Sequence, residues 1–273
     1  MPISAIGFDR ALPAPGHQVR RGHWSTDGLR SLLVANTRHP SVRVFDVARD
    51  LWTPAGIGIF GGTNRPTNDG LIKFSNVYDG ISIAQPSADV VPASRVTILS
   101  VFRKTDTTAR TSSNFAIQSA TVAHYCQAEV PWTDNKVYWE FGGTAGYNYV
   151  ASAAITITTD PIAWAFVAGQ RGLALYRDGI LLASNTTAAG RTETSLPFLL
   201  SNGTGGNVAY SDFIEQSFFA VLDAEWSIDQ VREWTVNQSV MFAPRRVVSY
   251  FTSSLSVKRP VIIGQAVTRA SSW

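Results

Sequence analysis

Glu140, Glu215, Glu225 and Glu233 are the carboxylates of this 273-residue chain that acid or base chemistry would call on, and each stands alone. Cleaving a glycosidic bond takes two carboxyl groups that flank it, one protonating the leaving oxygen and the other acting on the sugar or on water. Isolated glutamates of this kind read as solvated side chains. Glu225 and Glu233 fall in or near the expected helix, and Asp223 and Asp229 lie near its start and favour its dipole. Metal chemistry has as little support. His17, His23, His39 and His124 show no HxH or HExxH spacing, and a single cysteine, Cys126, excludes a Cys-based zinc site. Asp69, Asp79 and Asn202 offer loop oxygens of the type calcium takes, but Asp and Asn in loops commonly form turns. The Gly-rich run at 201–207 has no lysine and no phosphate-loop spacing. The expectation is no catalytic residue, no metal and no cofactor.

The elements are easier to read than the chemistry. Residues 173–183, LALYRDGILLA, place two apolar runs around Asp178-Gly179, a pair suited to the positive φ angles of a type I′ hairpin turn. Ser227-Ile228-Asp229-Gln230 is a capping box, so a helix begins there. Ile228, Val231 and Trp234 recur every three residues and form one apolar stripe, which suits a short helix on the edge of a sandwich, and Pro244 closes the unit. Strands are expected at Leu71–Phe74, Ile81–Ile83, Val96–Phe102, Val137–Phe141, Tyr149–Ile157, Trp164–Val167, Leu173–Tyr176, Ile180–Ala183 and Ser217–Leu222, rich in β-branched and aromatic residues. Hydrophobic residues are 45% and charged ones 16%, with 21 Gly and 13 Pro, enough for one large all-β core and little helix. No fixed period marks a propeller or solenoid.

These phrases resemble the concanavalin A-like, laminin-G-like jelly-roll domains, in the version found in virion proteins of tailed bacteriophages. The resemblance rests on the YRDG hairpin, on AEWSIDQVREWTVNQSVMFAP, on GLIKFSNVYDGISI and VTILSVFRK upstream, and on EVPWTDNKVYWEFGG before the central hairpin; it covers roughly residues 50–244. It implies an all-β, concanavalin A-like (LamG-like) antiparallel β-sandwich jelly roll, with one short C-terminal helix and extended N- and C-terminal arms. Laminarinase-type hydrolases of the same superfamily carry an E-x-D-x-x-E run, which is absent here, so the resemblance implies no such activity.

Charge divides the chain as the resemblance does. Residues 1–49, an N-terminal arm with the first strands, carry +4; the sandwich, 50–244, carries −6; the C-terminal arm, 245–273, carries +5. Basic ends attract acidic protein surfaces, nucleic acid or lipid, or simply serve solubility. Val247–Phe251 and Pro260–Ile263 are apolar runs beyond the sandwich. Such a tail either docks on a neighbour as an added strand or folds back along its own sandwich. Its interface residues are Arg245, Arg246, Tyr250, Phe251, Lys258, Arg259, Val261, Ile262 and Ile263. One cysteine permits no intramolecular disulfide and suits a small buried hydrophobe. No signal-like start or bilayer-length apolar run is present, so the N-x-[ST] sequons at Asn185, Asn202 and Asn237 read as coincidental and cytoplasmic assembly is expected.

The reading that follows is a non-enzymatic virion structural protein, a capsid decoration, head-spike or tail-associated subunit. Its partners would be capsid, portal or tail proteins and copies of itself, with no specific nucleic acid and no membrane insertion. The alternative is a lectin-like module for host surface glycans, with Trp132, Trp139, Tyr147 and Tyr149 as the aromatic contacts. A glycoside hydrolase ranks below both.

Overall fold

The computed structural model of the chain describes residues 19–34, 44–52, 72–74, 80–108, 113–117, 126–142, 148–192, 195–201 and 213–242. Fifteen strands appear among them: β1 Leu29–Val34, β2 Phe45–Asp46, β3 Leu51–Trp52, β4 Ile72–Phe74, β5 Ile81–Ala84, β6 Val96–Lys104, β7 Ser113–Ile117, β8 Cys126–Glu129, β9 Tyr138–Phe141, β10 Tyr149–Ala151, β11 Ile162–Gly169, β12 Gly172–Arg177, β13 Ile180–Asn185, β14 Phe198–Leu200 and β15 Ile214–Leu222. The helix α1, Ile228–Val236, follows β15. The strands form two antiparallel sheets. One runs β13-β12-β11-β6-β15-β1-β2-β3, with β4 also paired to β15; the other runs β10-β9-β8-β7-β14-β5. This is the expected all-β sandwich with one short helix.

The large sheet is apolar on both faces, so its strands do not alternate apolar with polar. In β11, Ile162, Trp164, Phe166 and Ala168 enter the core between the sheets. The intervening Ala163, Ala165 and Val167 enter a second apolar cluster on the outer face. Phe115 centres the inter-sheet core, with ring centroids 5.1 Å from Phe166, 5.7 Å from Phe219 and 5.8 Å from Trp139. Burying each such side chain contributes about 1.5–3 kcal/mol. Cys126 is buried there too, and burial pushes its thiol up to about 12.

α1 covers the outer face rather than an edge of the sandwich. Its buried Val231 and Trp234 pack onto the second cluster, and the Trp234 and Phe218 rings lie 5.7 Å apart. The placement follows from β6, β11 and β15, whose outward residues are too apolar to face water. The capping box forms as expected: Gln230 N–H donates to Ser227 Oγ at 3.3 Å, and Ser227 N–H donates to Gln230 Oε1 at 2.9 Å.

The Asp178-Gly179 hairpin joins β12 to β13, with both turn residues at positive φ, 50° and 76°. Other expectations need correction. The strand expected over Tyr149–Ile157 ends at Ala151, because Ser152 and Ile155 donate their N–H groups to Val137 and Asn135 carbonyls and fold the segment over the preceding turn. Residues 1–49 hold first strands as expected, β1 and β2, and β1 lies inside the large sheet between β15 and β2. The arm residues Arg245, Arg246, Tyr250, Phe251, Lys258, Arg259, Val261, Ile262 and Ile263 lie outside the described residues, as do Pro244, Asp69, Asp79 and Asn202.

Candidate functional site

Strands alternate their side chains across the sheet, and in β8–β10 this sorts residues by chemistry. Cys126, Ala128, Trp139, Phe141 and Val150 turn inward to the core. Gln127, Glu129, Tyr138, Glu140 and Tyr149 occupy the opposite face. The register pairs Gln127 with Glu140, Glu129 with Tyr138, and Glu140 with Tyr149. Tyr149 stands on the edge strand and is 46% exposed, and its ring centroid is 6.3 Å from that of Tyr138 at a tilt of 38°. The two tyrosines therefore form a small aromatic platform at the rim of the six-stranded sheet.

The turn that precedes β9 fixes the platform. Trp132 N–H donates to the Lys136 carbonyl and Asn135 N–H to the Trp132 carbonyl, closing residues 132–136 into a tight loop. Asp134 stands at its tip and accepts three contacts: the Lys136 N–H at 3.0 Å, the Tyr138 hydroxyl at 2.7 Å, and the Lys136 ammonium at 3.6 Å. The hydrogen bond to the Asp134 carboxylate, aided by burial, pushes the Tyr138 phenol up to about 12. Tyr138 is thus a neutral hydroxyl held in one orientation. Asn148 precedes Tyr149 and ties β10 to β13: Asn185 Nδ2 donates to Asn148 Oδ1 at 2.9 Å and to the Tyr149 carbonyl at 3.1 Å.

Glu140 does not stand alone in space. Glu129 sits diagonally from it across the β8–β9 ladder, a relation that places such positions roughly 7–8 Å apart. Both carboxylates are buried, and Glu129 Oε1 accepts from Gln127 Nε2 at 2.8 Å, whose other contact is Ser113 Oγ at 3.0 Å. Their burial leaves the tyrosine pair as the surface that a ligand meets. Ten residues, a turn among them, separate the two glutamates, so no spacing rule along the chain reveals the pair. The alternation Tyr138-Trp139-Glu140-Phe141 was the available signal for which side chains share the face.

The other candidates divide cleanly. Trp139 belongs to the core: its ring is fully buried, and Nε1 donates to the Val167 carbonyl at 2.9 Å. It offers nothing to a glycan, because its neighbours in sequence take the outward positions. Trp132 is half-buried in the turn beside the platform. Tyr147 lies outside the described residues. Glu215 pairs with Arg103 across the β15–β6 ladder at 2.7 Å, and Glu233 is exposed on α1. Glu225 is structural: its carboxylate accepts the Gln170 and Arg171 N–H groups and Arg171 Nε, each at 2.9 Å. A Cβ at Gly169 would fall 2.3 Å from Glu225 Oε2, which is why that position carries no side chain. Among the described residues no three His, Cys, Asp or Glu side chains gather as a metal site, and no helix is long and apolar enough to cross a membrane.

No protein-family model matches the sequence, and no curated protein is significantly similar to it. Solved structures do match its fold. Trypanosoma rangeli sialidase in complex with the inhibitor DANA superimposes with a TM-score of 0.59 at 15% identity, covering 79% of this chain and 34% of that one. The same sialidase in complex with sialic acid gives 0.57 at 15% identity, over 78% and 33% of the two chains. The receptor-binding domain of botulinum neurotoxin type G gives 0.52 at 12% identity, over 78% and 51%. At such identities the likeness establishes a jelly-roll-like β-sandwich and nothing finer. The chain spans about a third of the length of the sialidase chains it matches.

Proposed function

We propose that this protein is a carbohydrate-binding β-sandwich that holds glycans against the Tyr138–Tyr149 platform without cleaving them. The observation that carries the reading is the exposed Tyr149 ring, set beside an orientationally fixed Tyr138 and a charged turn containing Asp134 and Lys136. A sugar ring presents an apolar face of C–H groups and a rim of hydroxyls; an aromatic ring accepts the first, and adjacent charged or hydroxyl groups accept the second. Support comes also from the similar folds, since the sialidase is known in complex with sialic acid and the neurotoxin domain is a receptor-binding one. Host-surface glycans are the partner class that this reading implies. The sialidase likeness covers a third of that enzyme, so the ligand class is carried across and the hydrolysis is not.

The test is a glycan array probed with the wild-type chain and with Tyr149→Ala. Saturable binding that falls at least tenfold in Tyr149→Ala, with unchanged melting temperature, is the expected result. Equal binding by both proteins removes the platform from the reading. Turnover of labelled oligosaccharides that disappears in Glu140→Gln would replace binding with catalysis.

A second reading is favoured by the phage-like phrases between residues 164 and 244: a virion structural subunit that projects its sandwich outward and is fastened to capsid, portal or tail neighbours by its terminal arms. The similar solved structures favour glycan recognition over a purely structural role. Truncating residues 245–273 separates the two. Glycan binding survives the truncation if the sandwich is the working part, whereas particle incorporation is lost if the arms are.

A further inference from the structure

On the nine-stranded sheet, the outer face of the β12–β13 hairpin and the first turn of α1 enclose an open groove of about 340 Å³. Arg171, Tyr176, Leu181, Ser184, Trp226 and Ile228 line it. Its size lies at the small end of the roughly 300–1,000 Å³ range of ligand pockets, room for a one- or two-ring molecule.

The polar groups of the groove are fixed in place and incompletely used. Arg171 is locked by its inner edge: Nε donates to Glu225 Oε1 at 2.9 Å, and one terminal nitrogen donates to the Glu225 and Trp226 carbonyls at 2.6 and 3.2 Å. The other terminal nitrogen, Nη1, has no partner among the described residues, and the side chain is 61% exposed. The Glu225 carboxylate is already committed to three N–H donors. Tyr176 is the second observation. It is only 6% exposed, lines the groove, and its hydroxyl meets no hydrogen-bond partner among the described residues. Burial raises its pKa, so the phenol stays a neutral donor. The ring is packed into the outer apolar cluster, so the hydroxyl is held at the groove wall, where it can donate to a bound acceptor. The Ser184 hydroxyl is likewise uncommitted among the described residues, and the apolar Leu181 is exposed at the rim. The positive end of α1 adds to the field at the groove mouth.

We infer that this groove binds a small hydroxylated carboxylate of the sugar-acid class, its carboxylate on Nη1 of Arg171, its hydroxyls on Tyr176 and Ser184, and its apolar edge on Leu181. With Nε and both N–H groups of one terminal nitrogen committed, Nη1 is left to donate a charge-assisted hydrogen bond to one carboxylate oxygen. The paired hydroxyls distinguish a sugar acid from a simple anion. The site is separate from the tyrosine platform and does not depend on it.

Isothermal titration of the full chain with glucuronate, glucose and inorganic phosphate tests the inference. Glucuronate is expected to bind saturably, with glucose and phosphate at least tenfold weaker. Tyr176→Phe removes one hydroxyl and Arg171→Met removes the cation; each is expected to weaken glucuronate at least tenfold. Arg171 also anchors the β11–β12 turn, so Leu181→Trp, which fills the groove mouth from an exposed position, serves as the independent variant and is expected to abolish binding without lowering the melting temperature. Tyr149→Ala is expected to leave glucuronate binding unchanged. No glucuronate binding, equal binding of glucose, stronger binding of phosphate, or glucuronate binding indifferent to Tyr176→Phe and Leu181→Trp each overturns the inference. Presenting the sugar acid free and at the end of an immobilised glycan distinguishes the two sources of that ligand.

Discussion

Trp139 and Tyr138 are neighbours in the chain with opposite employments, and the difference is one of phase. The β period of two sends Trp139 into the inter-sheet core against Phe115, Phe141 and Phe166, and sends Tyr138 to the opposite face beside Tyr149. Nothing in the side chains themselves decides this; a shift of register by one residue would exchange them. Truncating each measures the consequence. Trp139→Ala removes a fully buried ring and leaves the Val167 carbonyl without its donor, and is expected to cost about 3–5 kcal/mol in a denaturant titration. Tyr149→Ala removes a half-exposed ring and is expected to cost under about 1 kcal/mol. Equal losses would mean that the two rings are equally buried, contrary to the alternation in β9 and β10.

The elements that could be located from sequence are those whose start or turn is written in a few adjacent residues. The Asp178-Gly179 turn and the Ser227–Gln230 capping box are of this kind, and both form. Ser227→Ala removes the acceptor for the Gln230 N–H and is expected to destabilise the protein by about 1 kcal/mol. Chemical denaturation checks the value, and a loss near zero would mean that α1 is held by Val231 and Trp234 alone. β7, β8 and β14 were not legible. SNFAI and CQAE are short runs in which Ala, Asn, Gln and Glu carry little strand preference of their own, and FLL is three residues long, too short to show a period of two. Their strand state comes from the ladders on either side. The same limit hid most of the platform. Tyr149 was recognisable as an aromatic near a strand end, whereas its partnership with Tyr138, and that of Glu129 with Glu140, exists only once β8, β9 and β10 align.

At the scale of the whole molecule, the large sheet carries an apolar cluster on each face and the described chain begins and ends at one place. Val19 forms a β-bridge with Phe242, Arg20 N–H donates to the Met241 carbonyl, and the Trp24 and Trp226 rings lie 5.2 Å apart. The N-terminal residues thus help to seal the second apolar cluster instead of merely leading into the sandwich. Long-range ion pairs and a buried acid tie the large sheet together and give stability a pH dependence of two signs. Asp223, from the end of β15, binds Arg30 of β1 at 2.6 Å and Arg95, beside β6, at 3.0 Å. Burial works upward on its carboxyl, but the two guanidinium groups outweigh it and hold the pKa below the usual range. The stabilisation is therefore full above the ordinary carboxylate pKa and is lost as pH falls through the lowered value. Asp46 is the opposite case. Burial raises its carboxyl pKa despite hydrogen bonds from Ser31 and from the Leu32 and Arg49 N–H groups, so the ionised form carries a penalty that protonation relieves as pH falls. Between pH 7 and 4, wild type is expected to gain stability relative to Asp46→Asn; below about pH 4 it is expected to lose stability relative to Asp223→Asn. Denaturant midpoints across that range check both signs, and parallel curves for all three proteins would refute them.

Taken alone, the sequence determined the material and the local punctuation: an apolar, glycine-rich chain with few charges, one turn that requires positive φ, and one helix with a built-in start. Those features act over two to four residues, so neighbours in the chain suffice to specify them. Tertiary structure decided which face each strand presents, where α1 lies, and which side chains meet. Glu129 and Glu140, Tyr138 and Tyr149, and Arg171 and Tyr176 with the start of α1 become neighbours through pairing of strands and packing of layers. Those contacts depend on the register and burial of the whole sandwich, a physical quantity that no local spacing contains.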